Sequence, residues 1–417
     1  MPSTRSVWYN LPELVFLVIF EQATRDTIKE DGLPFALLVS HVCKGWRTIV
    51  ALSPSVWCAI PIHPARPGLL EYFMERVGVA LPLDICFHIK DRRTDVRPVL
   101  ALGMSQPERI RELYLCGQDG TAVFLFISQI RYMNLPSLAH FEISLPKSTN
   151  PRNLGPLPDI LNYRPPATLS SVALEGVSFH FQSAMLKGLT RLTLSCLPRT
   201  FAAPSYVAFR DLLLSSPALE YLKLDHVFPL LTQEIDYGEI TLPSLHALAL
   251  VMSHDRSYVS DFFAILSAPN IRTFSFETSW PVTAAGFDDA LRILRASFER
   301  LHTLRLALLT PYLLDDRGVT PSLFAAFPEL RALTLTAHSD RVVLHYLEPW
   351  IVATIEGSVI WPELELLTVR SPFGDLEAEG AESCVDESLE LLADLREAAS
   401  LPFDVWQEHV VPQPLKL

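Results

Sequence analysis

The sequence predicts an α/β protein in which a short N-terminal helical module leads an array of repeated strand and helix units, strands parallel on one face and helices outside. Three observations carry this prediction. An apolar-x-x-apolar-x-apolar phrase recurs ten times after residue 100, a proline step announces most of its copies, and the first sixty residues instead carry helical apolar spacing.

Composition agrees with many short elements. The 417 residues are 49% hydrophobic and 19% charged, which suits a chain folded over most of its length and is too much chain for one compact core. Only 16 glycines stand against 33 prolines, so glycine-rich nucleotide-binding loops are disfavoured and proline-stopped units favoured. A net charge of -13 argues against a generic nucleic-acid binder. Cys43, Cys58, Cys86, Cys116, Cys196 and Cys384 are scattered singly, with no zinc-ligand spacing, and no asparagine sits in a glycosylation signal. Reduced thiols in the cytoplasm or nucleus are therefore expected.

The first element is LPELVFLVIFEQAT from Leu11, a helix with Asn10 as N-cap and Pro12 where the first turn needs no amide donor. Its apolar run, Leu14 to Phe20, lies between Glu13 and Glu21 and is too short for a membrane or secretory core. A second helical segment follows from Leu33 to Leu52, LPFALLVSHVCKGWRTIVAL, which Pro54 closes before the anchor residue Trp57.

This order resembles the F-box: Leu-Pro opening a helix that ends in Ile-Phe, an aliphatic helix, VCKGW followed by Arg, then serine-proline before a Trp. The match runs from Leu11 to about Ile60. Leu14 stands where many members carry an acidic residue, and Arg25 to Gly32 is unusually charged. The resemblance implies a three-helix module that docks on the Skp-family adaptor of a cullin-RING ubiquitin ligase, and reaches the cullin through it. It places adaptor contacts on Leu11, Pro12, Ile19, Phe20, Val42, Cys43, Lys44 and Trp46. The residues by themselves leave two accounts open: an exposed apolar face that meets a partner, or a small helical core that caps the open end of the array.

The repeats start at Ile110, Leu138, Leu169, Leu189, Leu219, Leu245, Ile271, Leu301, Leu330 and Leu364, with spacings of 20 to 34 residues. That range is similar to leucine-rich repeats with loose insertions. Steps such as NLPSL, SSPAL, TLPSL, SAPNI and AFPEL precede the strands, and Tyr206 to Leu214 and Ser257 to Leu266 have helical spacing. LLEYFMERVG followed by LPLDICFHI resembles the first element after the F-box in fungal F-box proteins. The expected organisation is an F-box-like domain over 1–62 and a leucine-rich-repeat-like solenoid over 63–417. It is interrupted by a proline-rich insert at 146–166 and an acidic loop at 375–397 that leads into a short helix from Ser388. The usual Asn or Cys at the ninth repeat position is missing, with Gln118, Val177, Leu197, Val227 or His338 there instead, so the repeat count and register stay open.

No hydrolase, dinucleotide, phosphate-loop or zincin phrase occurs, so no catalysis, cofactor or metal is expected. His140, His246 and His302 fall beside strand leucines without a second ligand at a recognised spacing, and Asp315 with Asp316 reads as a turn. Alternation singles out one sheet face, the concave one, where Glu112, Tyr114, Glu142, Arg191, Tyr221, Lys223, Asp225, Arg305 and Arg370 interleave with the inward leucines. Tyr114, Glu142, Tyr221, Lys223, Asp225, Arg305 and Arg370 are the candidate target-binding residues, beside a small patch of Ala247, Ala249 and Val251. The expected function is target recognition for an SCF-type ligase, with no nucleic acid or membrane partner. The alternative is a non-catalytic interaction scaffold.

Overall fold

The computed structural model describes residues 11–63, 66–89, 97–118, 120–130, 133–145, 166–177, 179–181, 183–195, 203–231, 237–252, 256–278, 298, 300–308, 327–337, 340–358, 360–371, 381–399 and 404–409. The chain divides into two compact units, Met1–Ala202 and Ala203–Leu417. Both are α/β, with parallel strands added in chain order.

The first unit opens with three helices, α1 (Glu13–Asp26), α2 (Phe35–Val42) and α3 (Lys44–Leu52). Pro12 is the N-cap of α1, its carbonyl accepting from the amides of Val15 and Phe16. Asn10, expected in that place, lies outside the described residues. The expected single segment from Leu33 to Leu52 is two helices, because Cys43 adopts an extended backbone (φ -154°, ψ 169°) and its sulfur accepts from the Trp46 amide at 3.4 Å, capping α3. After α3 a single 3₁₀ turn, Pro54–Trp57, buries Trp57, whose indole N–H donates to the Val50 carbonyl at 2.8 Å.

Strand β1 (Ala59–Ile62) follows directly, so the sheet starts within 1–62. Next come α4 (Pro67–Val77), β2 (Leu83–Ile89), α5 (Arg97–Gly103), β3 (Ile110–Gly117), α6 (Gly120–Ile130), β4 (His140–Ser144), β5 (Ser171–Glu175) and β6 (Arg191–Ser195). Trp57 meets α4 edge-on, with its ring 5.2 Å from that of Phe73. These six strands are parallel neighbours in sequence order. Alternation works as the period-2 pattern requires: Leu113, Leu115, Phe141, Ile143, Leu174 and Leu194 are fully buried on one side. The residues between them form cross-strand rows on the other, such as Pro61, Cys86, Tyr114, Glu142, Ala173 and Thr193. The proline-rich insert at 146–166 lies outside the described residues except for Pro166.

The second unit contains α7 (Tyr206–Leu214), β7 (Tyr221–Asp225), β8 (Ile240–Thr241), β9 (Ala247–Met252), α8 (Arg256–Ile265), β10 (Leu266–Ser267), β11 (Thr273–Thr278), β12 (Thr303–Leu308), β13 (Ala332–Ala337), α9 (Asp340–Ile355), β14 (Leu366–Ser371), α10 (Ala381–Ala398) and β15 (Asp404–His409). Its parallel sheet runs β7-β9-β11-β12-β13-β14-β15, and β8 pairs separately with β10. All ten recurring phrases thus contain a strand, and α7 and α8 fall where helical spacing predicts them. In the acidic stretch the helix starts earlier than Ser388: α10 is 18 residues long and buries Val385, Leu389 and Leu392.

The proline steps have a definite geometry. In Leu135–Leu138, Ser216–Leu219, Leu242–Leu245, Ala268–Ile271, Phe327–Leu330 and Trp361–Leu364 the fourth amide donates to the first carbonyl, at 3.0–3.3 Å. Proline is the second residue each time, where its fixed φ suits a β-turn, and the first side chain is buried. The proline therefore shapes the turn into the strand as well as stopping what precedes it. His246 stands just after such a turn, and His302 just after Phe298–Leu301, where the same hydrogen bond forms without a proline; the two are at equivalent ladder positions.

Candidate functional site

Helix α1 has two apolar stripes. Phe16, Phe20, Thr24 and, beyond its end, Ile28 recur every four residues and are buried. Leu14, Val15, Val18 and Ile19 form the other stripe and are 69%, 39%, 59% and 44% exposed. The buried stripe is held by Trp46, whose ring lies 5.6 Å from Phe16 and 5.2 Å from Phe20, and by Phe35, 6.4 Å from Phe20. Helix α2 exposes Leu38 and Val42 one turn apart, at 48% and 61%. Side chains this apolar, on two helices of one small module, make a surface unpartnered among the described residues and well beyond scattered single exposures.

Six of the adaptor-contact residues named from the sequence lie on the module's surface: Pro12, Ile19, Val42, Cys43 and Lys44 are exposed and Leu11 half-exposed. Phe20 is a correction. It is 2% exposed, because it falls on the Phe16 stripe, and it supports the surface from beneath. Trp46 is half-buried and faces the same core.

The opposite end of α1 is fastened to the sheet. Ile28 packs with Ala59 and Cys86, and against Tyr114 and Cys116. The Lys29 ammonium donates to both carboxylate oxygens of Glu142, at 3.0 and 3.1 Å, and stands 5.4 Å from the centre of the Tyr114 ring. Arg25 lies 3.8 Å from Asp84, which is also clasped by Arg111 through two guanidinium hydrogen bonds. Burial, then the neighbouring Glu112, push the Asp84 carboxyl up to about 6, against the pull of Arg111 and Arg25. Burial also pushes Glu142 up, but hydrogen bonds from His140 and Lys29 outweigh it and hold it below the usual range. Cys86 donates to Cys116 across 3.6 Å; burial raises the first thiol, and that hydrogen bond lowers the second.

These contacts correct the reading of Tyr114 and Glu142 as open target-binding positions. Both belong to the predicted row, but the turn after α1 covers them. Lys29 and Ile28 were not legible as sheet contacts, since the only signal was the unusual charge of Arg25 to Gly32. In the second unit, Lys223, Ala249, Ser275, Arg305, Thr334 and Thr368 share one cross-strand row. Arg305 and Arg370 are exposed, Tyr221 and Lys223 half-buried. Asp225 is 9% exposed and 3.6 Å from His226, so it too is a correction: it closes the end of β7 more than it presents a charge. Ala247, Ala249 and Val251 are half-buried in that face.

No protein-family model matches the chain, and no curated protein matches it. Among solved structures it is similar to a protein from Bacteroides fragilis, at 11% identity and a TM-score of 0.33, over 81% of this chain and 76% of that one. A likeness of that degree carries no argument about fold or function. Among the described residues, no helix is long and apolar enough to cross a membrane.

Proposed function

We propose that the chain is the target-recognition subunit of an SCF-type cullin-RING ubiquitin ligase, its helical module an F-box that docks a Skp-family adaptor and its strand array a leucine-rich-repeat-like solenoid that holds the target. The observation that carries this reading is the two-sided α1: one stripe seals the module, the end is tied to the sheet, and Leu14, Val15, Val18 and Ile19 are left in water. A cap alone needs no such outward stripe. Three short helices and the parallel, chain-ordered strands also support it. The chain itself transfers nothing; it raises the effective concentration of a target at the ligase. Arg305 and Arg370, with Tyr221 and Lys223, are the target-facing side chains of choice.

A second reading, the non-catalytic scaffold with capping helices, is favoured by Ile28, Lys29 and Arg25, which do seat the module on the first strands. Calorimetry of the purified chain against a Skp-family adaptor separates the two. Binding that is lost in Val18→Glu with Ile19→Glu, while circular dichroism is unchanged, supports the adaptor-docking reading. A folded wild-type chain that does not bind leaves the scaffold.

A further inference from the structure

Three side chains from three separate elements meet where the turn after α1 crosses the first two strands. His63 follows β1 and His88 lies near the end of β2; Ile62 pairs with Phe87, so the two histidines are the next neighbours along the same parallel ladder. Their rings stack at 4.5 Å between centres and 15° between planes. Asp31, from the turn between α1 and α2, brings its Oδ1 to 4.0 Å from His63 Nδ1. One ligand atom from each of the three lies within 4.8 Å of the others.

We propose that Asp31, His63 and His88 form a binding site for a divalent transition metal of the zinc type, which fastens the helical module to the sheet. Two imidazole nitrogens and one carboxylate oxygen are a borderline donor set that suits zinc or cobalt better than calcium or magnesium. His88 is 4% exposed and its Nε2 sits 3.1 Å from the Ile28 carbonyl. A proton on that nitrogen is held by the backbone, which leaves Nδ1 with a lone pair; this is how an outer hydrogen bond sets a metal-ligating histidine. Tetrahedral bonds of about 2.0–2.2 Å place ligand atoms about 3.3–3.5 Å apart. The remaining closure falls to Asp31, whose side chain is 44% exposed on a turn, more than to His63, which is 11% exposed. Three protein ligands leave a fourth position for water.

The site would add a third tie to Arg25–Asp84 and Lys29–Glu142 at the same crossing, and unlike them it would depend on metal supply. Its position one sheet repeat apart, 63 and 88, explains why no recognised motif spacing displays it.

The test uses the full chain, stripped with a chelator and titrated with zinc against a chromophoric competitor, then with cobalt in the visible range. The expected result is one equivalent bound, a cobalt spectrum without the near-ultraviolet thiolate band that the six cysteines would give, and affinity reduced at least about tenfold by Asp31→Asn and further by His63→Gln. Asp31 is exposed, so its variant reports on the metal even where a histidine variant misfolds. Absence of binding by the folded chain overturns the proposal, as does binding that carries the thiolate band or is indifferent to Asp31→Asn and His63→Gln.

Discussion

The Lys29 ammonium and the Glu142 carboxylate meet at 3.0 Å although 113 residues separate them, joining the turn after the first helix to the fourth strand. Glu142 is 16% exposed at its side chain and Lys29 45%, so the pair is screened on one side only. A double-mutant cycle with Lys29→Ala and Glu142→Gln, read by urea unfolding midpoints, is expected to give a coupling of about 1 kcal/mol or less. A coupling indistinguishable from zero would show that the module is held there without help from this pair, by Ile28 packing and Arg25–Asp84.

Asp84 and Glu142 respond to acid in opposite senses. The Asp84 carboxyl, ordinarily at 3.8, is raised to about 6, so the folded state binds its proton more tightly than the unfolded chain. Its contribution to stability is greatest below about pH 4 and declines as pH rises through about 6. Glu142 is lowered, so its contribution is present above the ordinary 4.5 and is lost as the pH falls below it. Asp84→Asn is therefore expected to flatten the decline in unfolding midpoint between about pH 4 and 6.5. An unchanged slope there would place the Asp84 titration elsewhere.

Gly176 sits at φ +71°, and a Cβ built on it would lie 2.3 Å from the Leu145 carbonyl oxygen. Gly188 has a similar φ of +69° but open space around it. Gly176→Ala is expected to cost more than the about 1–3 kcal/mol of backbone strain that Gly188→Ala alone incurs. Thermal melts of the two variants check the order, and equal losses would show that Leu145 yields.

Arg396 is 2% exposed and donates to the carbonyls of Ile360, Trp361 and Leu364, with the Trp350 ring 5.9 Å away. Those carbonyls belong to the turn before β14, where Trp361 holds a φ of +47°. Arg396→Ala is expected to destabilise by about 3 kcal/mol, and Arg396→Lys to recover little, because an ammonium cannot span three acceptors as the planar fork does. Full recovery by lysine would reduce the arginine to its charge.

Phe20→Ala is expected to cost about 3–5 kcal/mol as a core truncation, whereas Ile19→Glu stays within about 0.5 kcal/mol of wild type. Adjacent residues of one helix then differ by their stripe alone. Comparable losses in both would mean that the outward stripe is packed in solution.

Much of the strand array was legible. The apolar phrases gave ten strands, because burying one face of a pleated strand demands alternation wherever it occurs, and the proline turns recur because six of those strands are entered the same way. The helical module was legible as helices, but not the break at Cys43, since both halves have the same apolar spacing and the cap is a single sulfur contact. Candidate sites were less legible. Phe20 was placed beside Ile19 by the motif, and only the packing of Trp46, Phe35 and Phe16 on Phe20 separates them.

By itself the sequence determined which residues alternate, where turns fall and that the segment between Glu13 and Leu52 is helical, because these follow from local backbone geometry and the period of apolar side chains. The tertiary structure decided which stripe of α1 meets water, why Tyr114 and Glu142 lie under Lys29, and that Asp31, His63 and His88 converge. Those outcomes depend on where a turn of one element crosses strands far along the chain, and no local spacing encodes that crossing.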